Sequence, residues 1–253
     1  MGTDDPVDDD LASLVEQAAE RLRSVRRVCC MTGAGVSAES GVPTFRGVGG
    51  LWQGRRPETL ATPEAFDADP EEVWRFYLWR RELLKECKPN PGHYALADLE
   101  RIVPEFTLVT QNVDGLHPQA GSREVFALHG DIWIDRCTRC GHEARATGDD
   151  LTSIPRCGAC GAMARPGVVW FGEVLPTDVL SGAQEAVARC EIMLVVGTSS
   201  VVQPAASLAD WARANGASVI EINPEATPLT ASADLAIRAP SGRVLPAIVQ
   251  QLA

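Results

Sequence analysis

The sequence predicts an α/β protein in which a Rossmann-type, doubly wound parallel sheet carries a small inserted domain. Short apolar runs that are typical of buried strands alternate with helical stretches along most of the chain. A glycine-rich turn follows the first run, and two Cys-x-x-Cys pairs interrupt the alternation. We expect one large domain of residues 9–131 and 168–253, a module of residues 132–167, and a loop with a helical insert of residues 47–87.

The composition is that of a globular protein without membrane spans. Hydrophobic residues make up 45% and charged residues 23% of the chain, and no apolar run approaches the roughly 20 residues that cross a bilayer. The acidic start MGTDDPVDDD is unlike a secretory signal, so we expect a cytoplasmic protein, and we expect a monomer. A net charge of -11 argues against general duplex binding and is compatible with a lysine-bearing partner.

The first two elements are a helix and a strand. Apolar residues recur at helical spacing from Leu11 to Leu22, which predicts an amphipathic helix packed on the sheet. Residues 28–31 form a short apolar run and predict a buried strand.

A possible phosphate-binding turn follows this strand. Gly33 and Gly35 allow a tight turn and the close approach of a ligand, while Ser37 and Glu39 suit the first turn of a helix, whose free N–H groups attract phosphate. The third glycine of the usual fingerprint is Ala38 here, so the turn alone fits either a dinucleotide site or a plain tight turn.

A loop and a helix come next. Residues 47–62 are rich in glycine and have no sustained period, which indicates a mobile loop beside a ligand. Asp69 caps a helix that we expect to continue to about Cys87, because proline and two acidic residues follow it. This helix carries Tyr77 and Arg80.

Small and polar residues follow each of the predicted strands. Further strands are predicted at residues 106–109, Ile192–Val196 and Ser218–Ile222, with a helix over residues 204–215. Ligands of open parallel sheets bind outside the carboxyl ends of the strands. The residues at these ends therefore favour a dinucleotide site, and they are Gly33, Gly35, Gln111, Asn112, Thr198, Ser199 and Asn223.

The two Cys-x-x-Cys pairs predict a structural zinc site. Four thiolates at this spacing suit tetrahedral Zn²⁺ and leave no coordination position for water, and the ligands would be Cys137, Cys140, Cys157 and Cys160. Disulfides or a redox motif are the alternatives, which the lack of a secretory signal disfavours. The arginines of the module lack interleaved aromatic residues, so we do not expect nucleic-acid binding. The other four cysteines are predicted to be core thiols, and they are Cys29, Cys30, Cys87 and Cys190.

These segments together resemble the sirtuins, the NAD-dependent protein lysine deacylases. The resemblance is carried, in the family's order, by GAGVSAESGVPTFRG from Gly33, TQNVDGLH from Thr110, LHG from Leu128, the paired Cys-x-x-Cys, PGVVWFGE from Pro166, GTSSVVQPAA from Gly197, and Asn223. It implies that NAD and an acyl-lysine meet in a cleft between the Rossmann-type domain and the zinc module. Ala239 departs from the family, which often has glycine there.

The resemblance also implies roles for individual residues. Ala34, Gly35 and Glu39 would lie along the pyrophosphate and ribose of NAD, with Gly33 in the same turn, and Phe45 and Arg46 would cover the nicotinamide ribose. Gln111 and Asn112 would hold that ribose and a water, and Asp114 would bind the nicotinamide carboxamide. Gly197, Thr198, Ser199 and Asn223 would hold the adenosine half.

His129 would be the general base, and Asn112 and Asp114 would complete the catalytic set. An imidazole with a pKa of about 6.5 can accept a proton near neutral pH. In the mechanism that the resemblance implies, the acyl oxygen attacks the ribose carbon as nicotinamide leaves. His129 then activates a ribose hydroxyl, and the products are lysine and O-acyl-ADP-ribose.

The substrate would contact an apolar run and a polar pair. Val168, Val169, Trp170 and Phe171 would grip the lysine stem and the peptide. Tyr77 and Arg80 lie three residues apart on one helix face and could hold a carboxylate, which an acetyl group lacks. With the small residue Ala61 they resemble the sirtuin class that prefers succinyl- or malonyl-lysine, so we expect this preference with deacetylation as a second activity.

Two other functions remain open at the level of the sequence. An ADP-ribosyltransferase would pass the same cleaved NAD to a protein nucleophile. A catalytically silent sensor would bind NAD or ADP-ribose and hold partners through the zinc module. The presence of His129 and Asn112 favours the deacylase.

Overall fold

The fold is described here from a computed structural model, which covers residues 6–44, 59–146 and 153–253. The helices of these residues are α1 (Pro6–Arg23), α2 (Gly35–Ala38), α3 (Pro63–Ala68), α4 (Pro70–Glu86), α5 (Pro91–Ile102), α6 (Leu116–Ala120), α7 (Thr177–Arg189), α8 (Ser207–Ala214) and α9 (Ser241–Leu252). The strands are β1 (Arg27–Thr32), β2 (Glu105–Thr110), β3 (Val125–Ala127), β4 (Gly130–Cys137), β5 (Glu143–Arg145), β6 (Ala164–Val168), β7 (Ile192–Val196), β8 (Ser218–Ile222) and β9 (Leu235–Ile237).

Six parallel strands form the large sheet, in the order β3-β2-β1-β7-β8-β9. The direction in which strands are added reverses between β1 and β7, which is the topological switch point of a doubly wound sheet. The predicted fold class is therefore confirmed.

Helices cover both faces of this sheet, which explains why its strands read as continuous apolar runs. Val28 and Cys30 of β1 point into a core with α1, α5 and α9, whereas Cys29 and Met31 point into a core with α7 and α8. Successive side chains of a strand alternate between the two faces, so a strand that is covered on both sides needs apolar residues throughout. The four cysteines predicted as core thiols are buried and free.

A second sheet of three antiparallel strands, in the order β5-β4-β6, spans residues 130–168. Helix α4 packs against it through a third core that includes Trp74, Ile132 and Val168. The indole Nε1 of Trp74 donates to the carbonyl of Ala164 at 2.8 Å, and buried Arg81 donates to the carbonyl of Ile132 at 2.7 Å. The helical insert and the cysteine-bearing segment thus form one packed unit.

The predicted elements are found with small shifts of their ends. The strands predicted at residues 28–31 and 106–109 each extend by one residue at both ends, while β7 and β8 have the predicted bounds. The helix predicted over residues 204–215 is shorter, and α2, after the glycine turn, has only 4 residues. Within the described residues, every helix is too short or too polar to cross a membrane.

Candidate active site

The glycine-rich turn after β1 lies directly against the loop after β7. Gly35 N–H donates to the Gly197 carbonyl at 2.7 Å, and Gly33 N–H donates to the Val196 carbonyl at 3.1 Å. A Cβ added to Gly35 would lie 2.7 Å from the Gly197 oxygen, so any side chain there would separate the two loops. These glycines are thus needed for the close approach of two backbones, and the turn they form is the floor of a cavity.

A cavity of about 510 Å³ lies at the carboxyl ends of the parallel strands. Most of the predicted site residues line it, and these are Gly33, Ala34, Gly35, Ala61, Tyr77, Arg80, Gln111, Asn112, His129, Val168, Val169, Trp170, Phe171, Gly197, Thr198, Ser199 and Asn223. Glu39 and Asp114 are not among the lining residues. Phe45 and Arg46, and residues 47–58 of the predicted loop, lie outside the described residues.

The cavity also has walls that sequence reasoning did not find. Further lining residues are Thr44, Val113, Gly172, Glu173, Leu175, Val202, Gln203, Pro204, Glu225, Ala226, Thr227 and Pro228. The segment after Asn223 follows the carboxyl end of β8, so the strand-end rule could have been extended to it.

Glu39 is held by a different part of the protein. Its carboxylate accepts the N–H of Gly242 at 2.8 Å, at the start of α9. The positive end of a helix stabilises a carboxylate placed there. Glu39 therefore fixes α9 in this structure, and its predicted contact with NAD stays a prediction.

Asn112, Ser37 and Asp114 form a buried network behind the cavity. The Asn112 side-chain amide donates to the Gly33 carbonyl at 3.0 Å and to Ser37 Oγ at 3.2 Å. The Ser37 hydroxyl in turn donates to Asp114 at 2.7 Å, and the other carboxylate oxygen accepts the Leu116 N–H at 2.9 Å. Ser37 was expected only to begin a helix, and no local spacing reveals partners 75 and 77 residues away.

Burial changes the protonation of this network. It raises the pKa of Asp114 from its usual value, although the hydrogen bonds from Leu116 and Ser37 oppose the shift. His93 and His117 lie next to the network with ring centroids 4.9 Å apart. Burial lowers the pKa of His93 to about 4 and that of His117 to about 3, so both rings are neutral at pH 7.

His129 has the tautomer and charge state of a general base. Its Nδ1 lies 2.9 Å from the carbonyl oxygen of Gln111. Because a carbonyl only accepts hydrogen bonds, Nδ1 carries the proton and Nε2 keeps the lone pair. Burial lowers the pKa of His129 below 6.5, and the bond to Gln111 opposes this shift. The ring is therefore a neutral base at pH 7.

The predicted apolar run of residues 168–171 forms one wall of the cavity, and an ion pair holds it in place. Arg165 bonds to both carboxylate oxygens of Glu173 at 2.6 and 2.8 Å, and its guanidinium lies 3.5 Å from the Trp170 ring centroid. Glu173 also accepts the Trp170 N–H at 2.8 Å. Trp170 is buried, whereas Phe171 is 51% exposed.

Tyr77 and Arg80 are both buried at the cavity. The Trp170 indole N–H donates to the Tyr77 hydroxyl oxygen at 3.0 Å. Burial raises the pKa of Tyr77, so its hydroxyl is protonated at neutral pH. Burial lowers the pKa of Arg80, and the neighbouring Tyr77 and Asp114 oppose that shift. Ala61 accepts the N–H of Phe171 at 2.9 Å and is itself buried.

The four predicted metal ligands converge. The sulfur atoms of Cys137, Cys140, Cys157 and Cys160 all lie within 4.8 Å of one another. Two of the separations are 3.4 and 3.7 Å, and a tetrahedral zinc site with Zn–S bonds of about 2.3 Å places sulfurs roughly 3.8 Å apart.

Backbone N–H groups also favour the thiolate form of one of the four ligands, Cys137. The N–H groups of Arg139 and Cys140 both point at the Cys137 sulfur at 3.4 Å, and they lower the pKa of Cys137. Gly141 and Gly161 have φ of +71° and +72°, which lets each loop turn back after its pair. The donor set and its geometry fit a structural Zn²⁺.

Comparisons with known proteins agree with this arrangement. The sequence profile of the Sir2 family matches residues 33–204. NAD-dependent protein deacylase 1 of Archaeoglobus fulgidus is 48% identical over 238 residues, which cover 94% of this chain and 97% of the relative. The NAD-dependent protein deacylase of Aquifex aeolicus is 54% identical over 209 residues, or 82% of this chain and 87% of that protein.

The structure of a Sir2 homologue in complex with NAD superimposes with a TM-score of 0.89. The two sequences are 47% identical, and the match covers 94% of this chain and 93% of the homologue.

Fold and site define an α/β protein with a Rossmann-type sheet, whose strand-end cavity is bounded by a strand of a four-cysteine module. Within that class, the profile match and the identity to these relatives show that the chain belongs to the Sir2 family.

Proposed function

We propose that this protein is an NAD-dependent protein lysine deacylase that removes succinyl or malonyl groups faster than acetyl groups. The observation that carries the proposal is the neutral His129, whose Nδ1 is bonded to a carbonyl and which lines a cavity shared by the strand ends and the apolar wall. The relatives from Archaeoglobus fulgidus and Aquifex aeolicus are named NAD-dependent protein deacylases, which supports the same reaction here.

The strand-end part of the cavity fits NAD. The floor of this part is the backbone of Gly33, Ala34 and Gly35. Their small side chains would let an extended pyrophosphate lie close to the backbone. Gly197, Thr198, Ser199 and Asn223 would hold the adenosine half. When bound, NAD would supply the ribose carbon that loses nicotinamide and takes up the acyl oxygen, and with one water consumed the products would be nicotinamide, lysine and O-acyl-ADP-ribose.

The polar side chains at this site are preorganised for that chemistry. Gln111 donates to Thr198 Oγ1 at 2.9 Å and Asn112 is fixed by Gly33 and Ser37, and these bonds support the proposal that both side chains hold the nicotinamide ribose. His129 would take the proton of a ribose hydroxyl at Nε2. Asp114 would bind the nicotinamide carboxamide. Phe45 and Arg46 lie outside the described residues, and their contact with the ribose stays a prediction.

The apolar wall would receive the lysine stem. Val168 ends β6, and Val169, Trp170 and Phe171 continue the wall along the cavity. The wall would exclude water from the amide that is cleaved and align the substrate backbone. The monomeric state stays a prediction. The cytoplasmic compartment also stays a prediction.

The acyl preference rests on the hydrogen bonding of Tyr77. Since Trp170 can only donate, the Tyr77 oxygen accepts, and the proton of the hydroxyl is left for a different acceptor. A carboxylate at the end of a succinyl or malonyl chain is such an acceptor, and the Arg80 fork would neutralise its charge. The methyl group of an acetyl-lysine can use neither contact. Ala61 leaves room for the longer chain.

The test compares matched acetyl-, malonyl- and succinyl-lysine peptides by mass spectrometry of the O-acyl-ADP-ribose formed. We expect Arg80→Met to lower succinyl kcat/KM at least roughly tenfold more than acetyl kcat/KM, because a hydrogen bond to a charged group contributes about 1.5–3 kcal/mol. Arg75→Met is the matched control, since Arg75 is on the same helix and 68% exposed. Equal losses on succinyl and acetyl peptides would remove the carboxylate clamp.

His129→Ala tests the reaction itself and should abolish turnover of every peptide. Turnover that survives in His129→Ala would overturn the proposed base. If wild-type protein instead transfers ADP-ribose to protein and releases no free lysine, it is an ADP-ribosyltransferase. Binding of ADP-ribose without any turnover would identify a sensor.

A further inference from the structure

A buried carboxylate lies beneath one wall of the cavity and takes no part in the proposed chemistry. Glu221 belongs to β8 and is 1% exposed. The wall above it consists of Asn223, Glu225, Ala226, Thr227 and Pro228, which line the cavity at the end proposed for adenosine.

Three side chains donate hydrogen bonds to this carboxylate. Thr227 donates to one oxygen, while Thr230 at 2.6 Å and Arg238 at 3.0 Å donate to the other. A buried carboxylate is costly unless such donors compensate it, so the network stabilises one arrangement of the segment that provides them.

The same network fixes the backbone of the wall. The Arg238 guanidinium also donates to the carbonyl of Glu225 at 2.8 Å, and the Asn223 amide donates to that carbonyl at 2.8 Å. The Thr227 N–H donates to Thr230 Oγ1 at 2.8 Å. These hydrogen bonds connect the backbone of the wall to Glu221 and to its partner Arg238.

We propose that Glu221 is a positioning residue for cofactor binding, which holds the wall of residues 223–228 in the shape that receives the adenosine half of NAD. This inference rests on the NAD site proposed above. Glu221 touches no reacting atom, so it acts on affinity for the dinucleotide and leaves the chemical step to His129.

The test is Glu221→Gln. The glutamine amide turns one acceptor oxygen into a donor that faces other donors, so the network cannot be satisfied. We expect KM for NAD and the Kd of ADP-ribose, measured by calorimetry, to rise about tenfold while kcat changes less than about twofold. The control is Glu191→Gln, since Glu191 directly precedes β7 and also pairs with an arginine, Arg27, but lies at the opposite end of the sheet.

A second variant covers the possibility that Glu221→Gln does not fold. Thr230→Val keeps the shape of the side chain and removes one donor to Glu221 together with the acceptor of the Thr227 N–H. It should weaken ADP-ribose binding in the same direction. Unchanged affinity in folded Thr230→Val or Glu221→Gln, or an equal loss in Glu191→Gln, would overturn the inference. If wild-type protein itself fails to bind ADP-ribose, the proposed NAD site falls and this inference with it.

Discussion

At the scale of single residues, the site depends on which hydrogen bonds each polar group has already made. The Gln111 carbonyl fixes the tautomer of His129, and the Trp170 indole leaves Tyr77 as a donor. In both cases a neighbour without catalytic chemistry of its own determines what the functional group can still do.

The pH dependence of turnover should report the burial of His129. Burial lowers its pKa below 6.5, so the folded protein keeps the neutral base as the pH falls through the range where a free histidine is protonated. We expect kcat/KM to hold through pH 6.5 and to decline only at lower pH, measured as a pH–rate profile on an acyl-lysine peptide.

A control variant makes this prediction specific to His129. His142→Gln replaces an exposed histidine beside the cysteine cluster and should leave the profile unchanged. An acid limb centred at or above pH 6.5 would contradict the prediction.

The lowered pKa of His129 also makes the stability of the fold depend on pH. Below about pH 6.5 the unfolded chain binds a proton at this histidine that the folded chain does not, so acidification should lower the free energy of unfolding.

At the scale of elements, the site depends on two loops that cross with no room for side chains. Gly197 has φ +60°, and a Cβ there would lie 2.3 Å from the Val36 nitrogen. Neither loop can yield easily, because β1 and β7 are paired in register immediately before them. The loops that support the cavity are therefore fixed by the sheet itself.

Gly197→Ala should thus destabilise the fold by about 2–4 kcal/mol, the sum of left-handed backbone strain and overpacking. Gly216→Ala is the matched control, since Gly216 has φ +92° with nothing within 4 Å of an added Cβ. It should show only the strain, about 1 kcal/mol. Urea unfolding measures the free energy of unfolding of both variants. Equal losses would show that the close approach of the two loops makes no contribution to the cost of Gly197→Ala.

The elements that the sequence predicts are those whose signal is local. β1, β7 and β8 are apolar runs bounded by small or polar residues, and the cysteine ligands repeat at short spacing. Both patterns can be recognised without knowing which distant residues they contact. β5 is exposed and has the sequence EAR, and it is a strand because it pairs with β4 beside the cysteine cluster. A segment of three exposed residues is too short for its periodicity to indicate a strand.

Contacts between distant residues account for the rest of what the sequence did not predict. The Tyr77–Trp170 bond joins positions 93 apart, and the Ser37–Asp114 bond joins positions 77 apart. The spacing of Tyr77 and Arg80 identifies a helix face, but which way the Tyr77 proton points depends on a residue that only the fold brings near. The sequence therefore predicts the composition of the site better than its hydrogen bonding.

At the scale of the whole molecule, the proposed zinc site belongs to one packed unit with Tyr77 and Arg80. We call these two residues the acyl selector, because we propose that they bind the acyl carboxylate. Cys137 ends β4, and β4 is held to α4 by Arg81, which donates to the Ile132 carbonyl and pairs with Asp135 at 2.7 Å. Trp74 ties the same helix to β6. Tyr77 and Arg80 lie between these two anchors, so the position of the selector depends on the small sheet.

The two cores of the large sheet do not include the four clustered cysteines. Its cores are formed by α1, α5 and α9 on one face and α7 and α8 on the other, and the β1 and β7 loops are held by their own backbone bonds. Loss of the metal should therefore affect dinucleotide binding and acyl-lysine recognition differently. Binding of the dinucleotide should survive, while recognition of the acyl-lysine should not.

Metal analysis of the purified protein should first find close to one zinc per chain. Cys160→Ser removes one half-buried ligand of the cluster, and we expect it to lower zinc content and to reduce succinyl-lysine turnover at least roughly a hundredfold, because structural zinc supplies folding energy to its module. ADP-ribose affinity, measured by calorimetry, should stay within about threefold of wild type, or 0.7 kcal/mol. Cys87→Ser is the control, since that thiol lies outside the cluster. If ADP-ribose binding and succinyl turnover fall together in Cys160→Ser, the metal supports the whole fold. The large sheet would then not bind the dinucleotide independently of the cysteine module, and the prediction would be wrong.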